Sequence, residues 1–175
     1  MTEKNIKKIF SDFNLKEAGA RIIAYLALFI AFTAVGTYIH IPGPSSSYFN
    51  LGEVAIYVIA LVFGAKAGGI AGALGSSLID IMLGYSIWAP FTFIIKGLEG
   101  YLVGKISKEG SWTRNILAIV VGGNIMVIGY AITKGFLISW AAVLPEIGID
   151  YAQMTIGGVI ALPIAHKINA YLKDL

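Results

Sequence analysis

Apolar residues run through the chain in long blocks broken by short polar stretches. The blocks place helices at 18–39, 52–64, 67–84, 89–105, 115–137 and 152–172. A helix crossing a bilayer needs about 20 mostly apolar residues, so six crossings take up most of a 175-residue chain. Only the triplet 64–66 separates the second block from the third, which predicts a tight helical hairpin. The longest polar interruption, 40–50, holds Pro42, Gly43, Pro44 and three serines. Proline and glycine stop helix propagation there, and serines compete for backbone hydrogen bonds. The segment reads as a structured loop, or lid, at one membrane face. Ahead of the first block, residues 1–17 are lysine-rich, with Ile6, Phe10 and Phe13 at helical spacing, and read as an amphipathic helix on the membrane surface. The expected architecture is an all-α integral membrane protein: this amphipathic segment, then a single six-helix membrane domain over 18–175.

Composition agrees. Apolar residues make up 57% and charged residues only 13%, about half the charge of an ordinary soluble domain. There is no cysteine, which removes disulfides, thiolate zinc sites and iron–sulfur clusters. The excess of positive charge follows the loops. With the N-terminus inside, Lys4, Lys7, Lys8, Lys16, Arg21, Lys66, Lys105, Lys108, Arg114, Lys167 and Lys173 all fall on the cytoplasmic side, and the outer loops 40–51, 84–88 and 138–151 have no lysine or arginine. That is the positive-inside asymmetry of a cell-membrane protein with both termini cytoplasmic, and it explains the basic balance without nucleic acid.

The remaining charges carry more information. Glu53, Asp80, Lys96 and Lys134 all fall in the outer half of the predicted bundle. Charge at that depth has to face protein or water. Lys96 is the natural partner for Asp80, and Lys134 for Glu53 or a ligand; structural ion pairing is the plainer alternative. Glu99, three residues after Lys96, shares its helix face. Asn124 needs a partner in mid-bilayer, on another helix or on a ligand. Tyr48, Phe49, Tyr85, Trp88, Trp140 and Tyr151 gather at the same end, as an interfacial aromatic belt would. Trp88 also lies close to Asp80 and Lys96, where a flat heteroaromatic ring would stack, and Gln153 adds an amide. Asn50 closes the polar loop. Together these groups suggest an outward-opening pocket.

Two stripes of small residues stand out. Gly68, Gly72, Ser76 and Asp80 recur at intervals of four, so the third helix packs deep in the bundle. Ala20, Ala24, Ala27, Ala31 and Ala34 leave one face of the first helix smooth, for another protein's helix or for packing within this chain. No G-x-x-x-x-G-K-[ST] sequence occurs, so the chain supplies no P-loop ATPase. His40 and His166 fall on opposite faces, and no nucleophile–base pair emerges, which leaves an intramembrane enzyme with little support. No metal or cofactor is expected. Asp80 or Glu53 would be the proton carrier of a stand-alone proton-coupled transporter.

One family carries much of this pattern. Tyr48-Phe49-Asn50-Leu51-Gly52-Glu53, the run from Phe63, Gly64 and Lys66 through Gly68, Gly72, Gly75 and Ser76 to Asp80, then Gly84-Tyr85, Trp88-Ala89-Pro90 and Lys96-Gly97-Leu98-Glu99-Gly100, resemble the substrate-binding S component of energy-coupling factor (ECF) vitamin transporters. The alanine stripe is similar to that family's docking motif. The resemblance is specific over 48–100 and weaker in the last third. It implies a vitamin pocket near the outer face, lidded by the loop between the first two helices, and partnership with a transmembrane coupling protein and two cytoplasmic ATPases. It also implies release of the ligand by toppling in the membrane. The motifs are closest to S components for riboflavin or for pyrimidine and pyridine vitamin precursors, with hydroxymethylpyrimidine or pyridoxine preferred. Asn50, Glu53, Asp80, Tyr85, Trp88, Lys96, Asn124, Lys134 and Gln153 are then the candidate ligand contacts. Ala20, Ala24, Ala27 and Ala31 are the candidate docking surface.

Overall fold

The computed structural model describes residues 19–42 and 48–173. The proposed amphipathic segment 1–17 and the middle of the polar loop, 43–47, lie outside the described residues. Within them, helices α1 (Ala20–Tyr38), α2 (Gly52–Phe63), α3 (Ala65–Met82), α4 (Ala89–Ile106), α5 (Trp112–Leu137) and α6 (Val143–Lys173) follow one another, with a 3-10 turn at Trp140–Ala142. Between α1 and α2, strands β1 (His40–Pro42) and β2 (Tyr48–Asn50) pair antiparallel, Ile41 opposite Phe49. The described parts of the loop are therefore the two paired strands of a small hairpin.

Helix α2 is central, packed against α1, α3, α4 and α6. Ten of its twelve residues are buried. At 1.5 Å per residue it spans about 18 Å, too short to cross a hydrocarbon core of about 30 Å by itself. Its apolar side chains meet other helices: Ile56, Tyr57, Leu61 and Val62 join Val103, Ala118, Ile119 and Ala161 in the main core. Among the described residues, the helices long and apolar enough to cross a membrane are α1, α5 and α6 with its 3-10 lead-in. Helices α3 and α4 have 18 residues each. Glycines and buried polar groups lower their apolarity, which is why six equivalent apolar spans is too simple a description.

The connections follow from sequence. Gly64, at φ +90°, turns the chain from α2 into α3 within one residue, a conformation glycine adopts freely. Along the α3–α4 seam, glycine allows backbone contact: a Cβ built on Gly72 would stand 2.5 Å from the Lys96 carbonyl oxygen. The predicted deep packing of α3 thus has a definite partner. The alanine stripe behaves differently. Helix α1 buries Leu26, Phe29, Thr33 and Thr37, while Ala20, Ala24, Ala27 and Ala31 are exposed on another face. Packing among the described residues does not occupy them.

The last third corrects the sequence reading. The expected outer loop 138–151 is mostly helix, because α6 begins at Val143 rather than near residue 152. Pro145 falls in its first turn, where a missing N–H costs nothing. Two acidic residues, Glu146 and Asp150, thereby come into the bundle.

Candidate functional site

The C-terminal ends of α1, α3 and α5 and the N-terminal ends of α2, α4 and α6 meet at one end of the bundle, beside the hairpin. Between them lies a cavity of about 590 Å³, its mouth included. Each neighbouring element contributes. Thr37 comes from α1, Tyr48 and Asn50 from β2, Ser76 and Asp80 from α3, Tyr85 and Trp88 from the α3–α4 turn, and Thr92 and Lys96 from α4. Helix α5 adds Tyr130 and Lys134, and α6 adds Glu146, Asp150 and Gln153.

The hairpin is tied down over this cavity at two points. The Tyr48 hydroxyl donates to Asp80 Oδ1 on α3. On α6, Gln153 Oε1 accepts from the Asn50 backbone N–H at 2.7 Å and from its Nδ2 at 3.2 Å. Asn50 Oδ1 in turn accepts from the Gly52 N–H at 2.7 Å, which connects the hairpin to the start of α2. Burial, and after it the neighbouring Asp80 carboxylate, hold the Tyr48 phenol well above its ordinary value. Tyr48 is accordingly a neutral donor.

Two buried ionic clusters line the interior. Lys96 bonds Glu53 Oε1 and, at 3.0 Å, Glu99 Oε2. Glu99 Oε1 also accepts from the Tyr57 hydroxyl at 2.7 Å. Lys96 lies 5.6 Å from the centre of the Tyr130 ring. The second cluster is Lys134 with Glu146 Oε2. The expected Lys96–Asp80 and Lys134–Glu53 pairings do not form: Glu53 takes Lys96, Asp80 takes Tyr48, and Lys134 turns to α6. The local Lys96–Glu99 pair forms as its spacing predicts. Several buried oxygens face no protein partner among the described residues: Glu53 Oε2, Ser76 Oγ, Asp80 Oδ2 and Asp150 Oδ2. A buried acceptor left unpaired costs roughly 1–3 kcal/mol, so these atoms favour a bound donor.

Of the nine contacts read from sequence, Asn50, Asp80, Tyr85, Trp88, Lys96, Lys134 and Gln153 line the cavity. Glu53 lies behind Lys96 and is joined to it. Asn124 is elsewhere: its Nδ2 donates to the Val120 carbonyl at 2.7 Å, and its Oδ1 accepts from Tyr151 at 3.0 Å. The alternative that holds for it is the helix–helix bond, on an outer face of α5 and α6. Thr37, Ser76, Thr92, Tyr130, Glu146 and Asp150 line the cavity as well, none of them among the nine, and Tyr48, expected in the aromatic belt and in the family-like run 48–53, lines it too. A signal for part of this set was present: Glu146, Asp150 and Gln153 follow i, i+4, i+7 spacing and so share one helix face.

Comparison with known proteins gives a family. Residues 18–170 match the family model described as ECF-type riboflavin transporter, S component. The chain is 39% identical, over 149 residues covering 82% of it, to the whole of an uncharacterised protein from a gap 3′ region of Pyrococcus woesei. It is 29% identical over 172 residues to the thiamine precursor transporter HmpT of Lactococcus lactis subsp. cremoris (strain MG1363), covering 97% of this chain and 92% of that one.

Proposed function

The chain belongs to the ECF-type S components, the family whose riboflavin-type model covers residues 18–170, and from that premise we propose that the hairpin-covered cavity captures a small heteroaromatic vitamin or precursor for import. The protein is a multi-pass membrane transport subunit for vitamin or precursor uptake and not an enzyme. The observation that carries the reading is a single one. Beneath a hairpin fastened by Tyr48–Asp80 and Asn50–Gln153, aromatic walls and unpartnered buried oxygens converge on one cavity. Tyr85 and Trp88 offer flat surfaces, and Asp80, Asp150, Ser76 and Gln153 offer directional contacts. Hydroxymethylpyrimidine or pyridoxine suits this site better than riboflavin, and a relative along nearly the full chain is named for a thiamine precursor.

All six helices take part in the membrane domain, with α2, α3 and α4 shielded by the more apolar α1, α5 and α6. Both termini are cytoplasmic. The chain has no nucleotide motif of its own, so transport draws on a transmembrane coupling protein and two ATPases, reached through the exposed alanines of α1, and the subunit delivers its ligand by toppling.

Mass spectrometry of the purified protein tests the reading. A copurifying B-group vitamin or precursor, rebinding with submicromolar Kd after it is stripped away, is the expected result. Absence of binding by the whole B-vitamin set overturns it. Uptake by the isolated chain driven by a proton gradient alone would instead make Asp80 or Glu53 a proton carrier.

A further inference from the structure

Charge is unevenly matched around the cavity. Of the six acidic residues within 19–42 and 48–173, five cluster here: Glu53, Asp80, Glu99, Glu146 and Asp150. The basic residues set against them are Lys96 and Lys134, and both are engaged, Lys96 by Glu53 and Glu99 and Lys134 by Glu146. Asp80 and Asp150 stand in the lining without a lysine or arginine partner within ion-pair distance among the described residues. Both side chains are more than nine-tenths buried, and each keeps one oxygen with no hydrogen-bond partner among the described residues. Asp80 sits on α3 and Asp150 on α6, so the two acceptors border the cavity from different elements.

A buried carboxylate without a donor is costly, and a partner that brings N–H groups or positive charge relieves that cost. A neutral ring rich in carbonyl oxygens brings at most a single ring N–H and sets its carbonyl acceptors against the remaining carboxylate oxygens. We propose that the cavity selects an amino-substituted or protonated nitrogen heterocycle, whose N–H donors are taken by Asp80 and Asp150, over a neutral carbonyl-rich ring. The inference rests on the reading of this cavity as the vitamin site. It narrows the ligand to donor-bearing aminopyrimidine and pyridinium chemistry and disfavours isoalloxazine.

The test is a titration of the full-length protein, stripped of ligand and followed by calorimetry, with three probes. These are 4-amino-5-hydroxymethyl-2-methylpyrimidine, its 4-oxo analogue of nearly the same shape, and riboflavin. The aminopyrimidine is expected to bind at least about 100-fold more tightly than the 4-oxo analogue, since the oxo ring exchanges the two N–H donors of the amino group for a carbonyl acceptor and keeps a single ring N–H for two carboxylates. Asp80→Asn and Asp150→Asn supply donors where acceptors stood, and in at least one of them that ratio falls about tenfold or more; thermal unfolding confirms that each variant is folded. Equal or tighter binding of the 4-oxo analogue or riboflavin overturns the proposal but leaves the vitamin site standing. So does an unchanged ratio in both folded variants. If none of the three probes nor any other B-group vitamin binds, the vitamin site itself is overturned.

Discussion

Lys134 and Glu146 show how much one residue can hold in this protein. Both are buried, and each is the other's charge partner. Removing one partner of a buried pair strands the other charge, at about 3–5 kcal/mol, whereas removing both is far milder. Lys134→Met is therefore expected to lower the thermal midpoint of the detergent-solubilised protein by at least several degrees. Lys134→Met combined with Glu146→Gln should recover most of that loss. A double variant no more stable than the single would show that the pair is not the source of the effect. The same pair marks the limit of what sequence reveals at this scale. Ionisable residues at matching depth can be found by placing spans, and that step brought seven of the nine candidate contacts to the cavity wall. The choice of partner among groups at one depth depends on helix rotation and side-chain reach, which a linear pattern does not contain. Lys96 accordingly meets Glu53 where Asp80 was expected.

At the scale of elements, the α3–α4 seam links stability to the site. A Cβ on Gly72 would stand 2.5 Å from the carbonyl oxygen of Lys96, the residue that anchors Glu53 and Glu99. A methyl there forces α3 and α4 apart and carries Lys96 with the displaced backbone. Overpacking of this kind costs about 1–3 kcal/mol, so Gly72→Ala should lower both the unfolding temperature and ligand affinity. Gly148→Ala, where an added Cβ meets nothing within 4 Å, should not lower the unfolding temperature. Equal behaviour of the two variants in a melting experiment would count against the seam. The intervals of four from Gly68 to Asp80 made this packing visible in the sequence, because glycine in an apolar helix has little use except close approach. The beginning of α6 was hidden for the opposite reason. Ser139, Pro145, Gly148 and two acids have the composition of a loop, yet α6 starts at Val143, with Glu146 held by Lys134 and, just beyond, Gln153 held by β2, so this stretch faces the cavity.

The whole molecule has two unlike ends and one unlike side. Carboxylates gather beside the hairpin, while Lys66, Lys105, Arg114 and Lys167 mark the opposite helix ends. The side is α1, whose Ala20, Ala24, Ala27 and Ala31 stay exposed among the described residues although its other face is buried at Leu26, Phe29 and Thr33. Bulky exposed residues such as Leu28 and Phe32 flank the stripe, as lipid contact requires. Where apolar side chains face lipid tails, burial gives little drive for association, and close backbone approach across small residues is what holds two helices together. A tryptophan at Ala24 or Ala27 removes that approach without touching the cavity, which lies at the far end of α1 near Thr37. Ala24→Trp and Ala27→Trp should thus bind ligand within about twofold of the parent protein, since uniform packing elsewhere is untouched. In proteoliposomes holding the coupling protein and both ATPases, their ATP-driven uptake should fall at least tenfold, the loss expected when about 1.4 kcal/mol of association is removed. Phe32→Trp, on an exposed but already bulky position, should leave uptake intact. Uptake preserved in both alanine variants would move the docking surface away from α1, and loss of ligand binding in them would show that the stripe supports the fold rather than a partner.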